Sequence, residues 1–552
     1  MAEPKDSPLM EKIVSLCKRR GFIYQSSEIY GGINGFWDYG PMGAELKRNV
    51  KELWWNEIVR KREDVAGLEA TIIMSPAIWK ASGHVDTFSD PMCDCRKCKK
   101  RFRADQLCEE QNLTLGKDFN GKHVFPAGTK CTNCGSTDLT EPRPFNLMFK
   151  TYVGPVESED NVAYLRPETA QAIFAQFKNV LETSRQKVPF GIGQIGKAFR
   201  NEVTPRNYTF RSREFEQMEL EFFIKPDEAI EAIHGSVVTV PETGHPGEPQ
   251  PNWGWQAWHQ YWVEERVRFY EGIGLSRDTL GFHRQTAEEL AHYARACVDI
   301  LFKFPFSKRD ENGELKGEEL EGIAARSDFD LSQHQRFSGK PMGVFDDELR
   351  AAWGKLPKEK QDDLWKRYFD NRKKYLTKTG VENEAASKQA TEDANGLAKG
   401  QYIPHVIEPS AGVDRLILAL ITNAYSEQTK SDDKGKSETI LTMKFHPRVA
   451  PIKVGVLPLL KNKPDLVKKA LEVRDLLRPW MNVFYDDGGS IGRRYARQDE
   501  IGTPFCVTID FDTLGEKGPE LKDTVTIRHR DDGRQERLPV GELLNWLLPK
   551  IR

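Results

Sequence analysis

The run REFEQMELEFFI at 213–224 constrains this chain more than any other segment. In a strand, successive side chains face opposite sides. Phe215, Gln217, Glu219 and Glu221 therefore share one face, and Met218, Leu220 and Phe222 the other. Just upstream, residues 190–202 form a second β-like run that ends in GKAFRNE. There Lys197 and Phe199 face one way, and Ala198, Arg200 and Glu202 the other. The polar turn VTPRNYTF follows, so the pattern predicts a long antiparallel hairpin with one apolar and one charged face. A charged face can simply meet water. It can also line a site, since strand spacing sets Phe215 and Glu219 roughly 13 Å apart.

A second element is IEPSAGVDRLILAL at 407–420. Glu408 and Ser410 share a face of a short strand, Gly412 permits a tight turn, and an apolar run from Leu416 to Ile421 marks a helix. Arg415 then sits in the first turn, beside free amide donors that suit an anion. An ordinary strand-to-helix joint with a surface arginine would read the same way.

At 552 residues the chain is long enough for several domains. Lys plus Arg is 81 and Asp plus Glu 83, which excludes coating nucleic acid by bulk charge but leaves room for local basic surfaces. No stretch of 18 apolar residues occurs, so no membrane span is expected. The acidic N-terminus is unlike a secretory signal. Helices are expected at 13–20 and 40–62, and a β-like stretch at 70–73. A helix opened by Leu165-Arg166-Pro167-Glu168 should follow. Residues 226–310 read as mostly helical around a Pro/Gly-rich loop at 241–254, residues 335–400 as a charged helical insertion, and 431–437 as a charged loop. After Pro447 strands and helices alternate, which points to a separate α/β domain. The expected fold class is therefore mixed α/β (α+β).

Residues 91–160 are polar and carry Cys95-x2-Cys98 and, 32 residues on, Cys131-x2-Cys134. Two such knuckles fit a tetrahedral zinc site, with Cys93 as an alternative to Cys95. Reduced thiols without metal are the competing reading. Four thiolates would leave zinc no open position, so its role would be structural. Cysteines used this way point to a reducing compartment, and a cytoplasmic location is expected.

Together these elements resemble the signature of class II aminoacyl-tRNA synthetases. GPMGAELKRNVKELWW with the stretch ending at Pro76 resembles motif 1, the dimer motif; Arg200-Asn201-Glu202 with the Phe215 strand resembles motif 2; Gly412-Val413-Asp414-Arg415 resembles motif 3. The resemblance implies an antiparallel-sheet catalytic domain with helices, divided among 1–90 (motif 1), 161–334 (motif 2 and the ATP site) and 401–440 (motif 3). It further implies an inserted Cys-rich module at 91–160, the charged insertion at 335–400, and an anticodon-binding domain at 447–552. ATP and Mg2+ would be bound. Arg200 and Arg415 would serve catalysis, with Asn201, Glu202, Phe210, Arg211, Phe215, Glu319, Leu320, Arg326, Glu408 and Ser410 completing the ATP site.

LRPETAQ, GGINGFWDYGP, EFEQMELEFF, IEPSAGVDR and GIAARSDFDL are closest to the dimeric glycyl type. One departure is Gly317, where that family usually has Trp. The resemblance implies glycine and tRNA(Gly) as substrates. The glycine site would use Glu168, Phe215, Gln217, Glu219, Glu408 and Ser410, with Arg103 from the inserted module. Glycine is the smallest amino acid, so competitors can be rejected by overpacking and no editing domain is needed. A threonyl, prolyl or seryl enzyme, and a non-catalytic RNA-binding paralogue, are the alternatives. In the last domain Gly488, Gly489, Arg493, Arg494, Tyr495 and Arg497 form a basic aromatic turn suited to unstacked bases.

Overall fold

The computed structural model describes residues 7–119, 121–291, 294–431 and 437–552. Its centre is a twisted sheet of strands in the order Leu280–Arg284, Ala296–Phe302, Glu318–Ser327, His405–Gly412, Glu214–Ile224, Phe190–Phe199 and Val65–Gly67. Neighbours run antiparallel except the last pair, which is parallel. The expected hairpin is there, with register Ala198↔Phe215, Gly196↔Gln217 and Gln194↔Glu219.

The two sheet faces are used as the alternation requires. Met218, Leu220 and Phe222 are buried under the Trp255–Gly272 helix, where Trp258 and Trp262 lie 4.8 and 5.2 Å from the Phe222 ring. One ion pair is buried on that side: Arg266 donates to Glu321 over 2.7 Å, and the Tyr270 hydroxyl donates to the same carboxylate over 2.6 Å. On the other face the Ala170–Thr183 helix covers the far end, where Phe177, Phe190 and Phe223 form an aromatic cluster. Toward the other end of that face, Phe215 and Gln217 line a cleft, while Glu219 and Glu221 are buried behind it.

Several sequence expectations need correcting. The helix after LRPE starts at Ala170; Val162–Leu165 is a strand, because Leu165 pairs with Ile73 and the Arg166 guanidinium ties down the carbonyls of Ala70 and Lys197. Leu280–Arg284 and Ala296–Phe302 are not helical but two sheet strands. The strand that follows the Pro41–Trp55 helix into the central sheet is Val65–Gly67, while Ile73–Met74 joins a smaller sheet. Its small residues hid it: Trp55 lies against Gly67 where any Cβ would stand. Gly412 is extended, with φ −82°, so the joint there needs no left-handed residue. Gly317 lies against Leu301, where a Cβ would come within 2.5 Å. The charged loop expected at 431–437 falls largely outside the described residues.

Residues 347–397 form helices Asp347–Trp353, Lys358–Lys378 and Asn383–Leu397, which connect two hydrogen-bonded strands of the central sheet. The C-terminal part has its own core around strands Val483–Tyr485, Val454–Pro458, Phe505–Ile509, Thr524–His529 and Gln535–Pro539, the first three parallel. Its basic turn is less free than expected. Arg494 is buried and donates to the carbonyls of Pro458, Leu459 and Gly489, Tyr495 bonds Thr508, and Arg497 pairs with Asp486. Arg493 stays exposed. Among the described residues no helix is long and apolar enough to cross a membrane.

Candidate active site

A cleft of about 160 Å³ opens on the charged sheet face. Arg200, Glu202, Phe210, Arg211, Phe215, Gln217, Glu319, Leu320, Ser410 and Arg415 all line it. These come from three stretches far apart in sequence, 200–217, 319–320 and 410–415, which the sheet order brings together. Strand Phe190–Phe199 delivers Arg200 just beyond its end, where a tight turn from Arg200 to Glu202 breaks the alternation. The Arg200 guanidinium lies between the rings of Phe88 and Phe215, at 5.4 and 5.2 Å, while its Nε donates to the Pro167 carbonyl over 3.0 Å. Its terminal N–H groups are thereby held over the cleft.

Arg211 donates to Glu202 over 2.9 Å. Arg415 sits in the first turn of the Val413–Ala424 helix, 4.7 Å over the Phe210 ring, and reaches Glu319 over 3.2 Å. Phe210 is wedged in turn against Phe304 and Phe306. Asp414 fixes this corner: it accepts from Tyr39, Lys47 and the Glu216 amide. Asn201 stands beside the cleft, its amide on the Leu147 carbonyl. Arg103 pairs with Asp90 and Asp105 and feels the charge of Glu202, so it borders the arginine end of the cleft.

Behind the cleft lies an acid cluster. Glu219 accepts from Thr169, from Gln217 over 2.8 Å and from Ser410 over 2.7 Å. Burial and the neighbouring Glu168 raise its carboxyl above the usual range. Glu408 takes a 2.7 Å bond from Arg326, whose Nε and Nη2 hold Asp330. Burial pushes Glu408 up to about 8 despite Arg326. Burial also opposes the ionisation of Glu168, but His84 at 3.2 Å, with Arg326 and Arg200, outweighs it and holds that carboxyl well below the ordinary range. Arg326 is buried and lies behind the cleft, not in its wall. His84, Thr169, Asp330 and Asp414 were missed by the sequence reading. Thr169, Asp330 and Asp414 lie inside recognised segments but carried no assigned role; nothing local to His84 marks it.

The thiols of Cys95, Cys98, Cys131 and Cys134 converge, all within 4.8 Å of one another, with Cys95–Cys134 and Cys98–Cys131 at 3.6 Å. Tetrahedral zinc with sulfur at about 2.3 Å needs sulfur–sulfur distances of about 3.8 Å, so the group fits. The residue after each knuckle, Lys99 and Gly135, is left-handed and turns the chain back. Cys93 points instead into a small apolar core with Ala104 and Leu107, which removes it as a ligand.

The sequence matches the tRNA synthetase class II core domain (G, H, P, S and T) over residues 152–243 and the anticodon binding domain over 453–550. It is 43% identical to the glycine–tRNA ligase of Thermobifida fusca, over 99% of this chain and 98% of that one. It is 42% identical to the glycine–tRNA ligase of Thermus thermophilus, over 98% and 99% of the two chains. With an arginine-lined cleft backed by an acid cluster on one sheet face, and with identities that run the full length, the chain belongs to the glycine–tRNA ligase family of class II tRNA synthetases.

Proposed function

We infer that this protein is an aminoacyl-tRNA synthetase that activates glycine with ATP and transfers it to the 3′ end of tRNA(Gly). The observation that carries the substrate is the acid cluster: Glu168, Glu219 and Glu408 gather behind the arginine-lined cleft, and Ser410 in its wall donates to Glu219. Glycine offers only an ammonium and a carboxylate, and this end supplies acceptors for the first while the arginines suit the second.

The chemistry needs no side-chain nucleophile. The glycine carboxylate, ionised at neutral pH, attacks the α-phosphorus. A carboxylate oxygen–phosphorus bond forms, and the bond to the bridging oxygen breaks as pyrophosphate leaves. A ribose hydroxyl of the tRNA then attacks the acyl carbon and AMP departs. Catalysis is positioning and charge neutralisation. Arg200 would hold the α-phosphate and substrate carboxylate, Arg211 the phosphate tail, Arg415 the γ-phosphate end, and Phe215 the adenine face. Planar guanidinium forks suit these contacts. Asn201, Glu202, Phe210, Glu319 and Leu320 would complete the nucleotide site, Gln217 and Arg103 the glycine site, and Arg326, expected from the resemblance to serve ATP, would act on the glycine side through Glu408. Magnesium, which neutralises phosphate charge when bound, would draw on carboxylates lining the cleft, Glu319 among them.

We read residues 1–90, 161–334 and 401–440 as the catalytic domain, 91–160 as a zinc-bearing module, 335–400 as a helical insertion and 447–552 as the anticodon-binding domain. Zinc on Cys95, Cys98, Cys131 and Cys134 would crosslink the module and leave no position for chemistry. A homodimer through motif 1 is favoured by an apolar surface just before its helix, where Ile29 is 89% and Tyr30 87% exposed. The reduced cysteine set favours a cytoplasmic location. A threonyl, prolyl or seryl enzyme is disfavoured by the full-length glycine–tRNA ligase identities. A non-catalytic paralogue is disfavoured by the intact Arg200, Arg211 and Arg415. The test is charging of a total tRNA preparation with labelled glycine, ATP and magnesium. Label should appear on tRNA(Gly); none on any tRNA would overturn the reading.

A further inference from the structure

The strand that carries Glu219 carries another acid two residues on, facing the same side. Glu221 is fully buried, and neither of its carboxyl oxygens has a hydrogen-bond partner among the described residues. The pairings Glu219↔Ser410 and Phe222↔Ile407 set Glu221 directly across from Glu408 on the neighbouring strand. Directly opposed residues on one face of an antiparallel pair have Cβ atoms about 5 Å apart. On the far side, Phe223 closes the position with the Phe177 and Phe190 rings, so water has no route in from there.

The charged neighbours are few. Glu219 lies on the same strand, Glu408 and Arg326 on the next two, Asp330 and His334 on the Phe329–Ser338 helix, and Glu168 just ahead of the Ala170–Thr183 helix. Asp330 already takes two of the N–H groups of Arg326, and His334 is engaged with Gln171 and held neutral by burial. Two carboxyls this close and this dry do not both ionise. Burial and Glu408 accordingly raise Glu221 well above the ordinary carboxylate range.

We propose that Glu221 is a positioning residue of the amino-acid site: set opposite Glu408 with no partner for its own charge, it keeps the acid pair from ionising fully while the site is empty, and the pair releases a proton to solvent as the substrate ammonium docks against Glu408. The inference rests on the glycine reading above. The ammonium supplies the positive charge that lets the pair ionise further, so one charge enters as another leaves. Binding then strengthens with rising pH through the titration of the pair, until the substrate ammonium itself deprotonates. The rate of the activated complex need not follow the same profile.

The experiment is calorimetric titration of the full-length protein with glycyl-sulfamoyl-adenosine, a stable adenylate mimic with a free ammonium. It is run at neutral pH in buffers of different ionisation enthalpy, and the slope counts protons. The wild type should release a substantial fraction of a proton per ligand, and Glu221→Gln, whose amide fills the same space without titrating, should bind with most of that release lost. A second readout is the glycine KM in pyrophosphate exchange from about pH 6 to about pH 9. It should fall with pH in the wild type and flatten in Glu221→Gln, with kcat little changed. Zero release in the wild type, or equal release in both proteins, would overturn the inference while leaving the glycine reading intact. Failure of the wild type to bind the mimic would instead overturn the glycine reading, and this inference with it. Should Glu221→Gln not fold, Glu221→Met, which fills the buried position without a titrating group, takes its place in the same titration, with the same loss of release expected and equal release again overturning the inference.

Discussion

Arg326 joins Glu408 to the helix behind it: Nη1 donates 2.7 Å to the Glu408 carboxylate while Nε and Nη2 grip both oxygens of Asp330. The orientation of Glu408 behind the cleft therefore depends on Arg326, and neither residue lines the cleft itself. A lysine could not hold both acids, because it lacks the planar fork. Arg326→Lys is expected to lower kcat/KM for glycine about a hundredfold, roughly 3 kcal/mol. The KM for ATP should move far less. Pyrophosphate exchange with each substrate varied in turn checks this, and equal losses for both would count against the assignment.

The acid cluster also sets how stability depends on pH. Glu168 titrates below its ordinary value of 4.5, so its contribution is present above that value and is lost as pH falls beneath it. Glu408 titrates above the same value, at about 8, so its contribution is full in acid and is lost as pH rises from about 4.5 towards 8. Between those limits the ligand-free protein should lose melting temperature with rising pH, and Glu408→Gln should flatten the decline. Thermal denaturation of both proteins across the range measures it. A wild-type profile no steeper than that of Glu408→Gln would contradict the account.

The cysteine module gives a prediction with its own readout. The purified protein is expected to carry about one zinc per chain, measured by elemental analysis, and Cys98→Ser should lose it. The melting transition of Cys98→Ser should drop or split, because the 3.6 Å thiol pairs would have no ion to bridge them. Full metal content in Cys98→Ser would show that another ligand set is in use.

Ile29 and Tyr30 stand almost fully exposed in the loop before the Pro41–Trp55 helix. A dimer interface there would explain them. Ile29→Asp combined with Tyr30→Asp should convert a dimer to a monomer in sedimentation velocity. An unchanged sedimentation coefficient would move the interface elsewhere.

Much of this site was legible because strand alternation writes a sheet face directly into sequence. Phe215, Gln217 and Glu219 needed only a period of two, and Arg415 only its place at a helix start. What stayed hidden depends on distance in space. His84 meets Glu168 from the start of a short helix 84 residues upstream in sequence. Val65–Gly67 was hidden by its small residues, and Leu280–Arg284 by polar positions on an edge strand. Arg494 read as a free basic group, yet it is a buried clasp on three carbonyls, which no local pattern distinguishes from a surface arginine.

The acid cluster behind Arg200 is expected to select glycine for activation. Amino-acid-dependent pyrophosphate exchange, run with glycine, alanine, serine, threonine and proline, tests it most directly. Exchange is expected with glycine, little with the others, and near-complete loss in a folded Arg200→Ala protein. Exchange driven by threonine or proline but not glycine, or none with any amino acid, would contradict it.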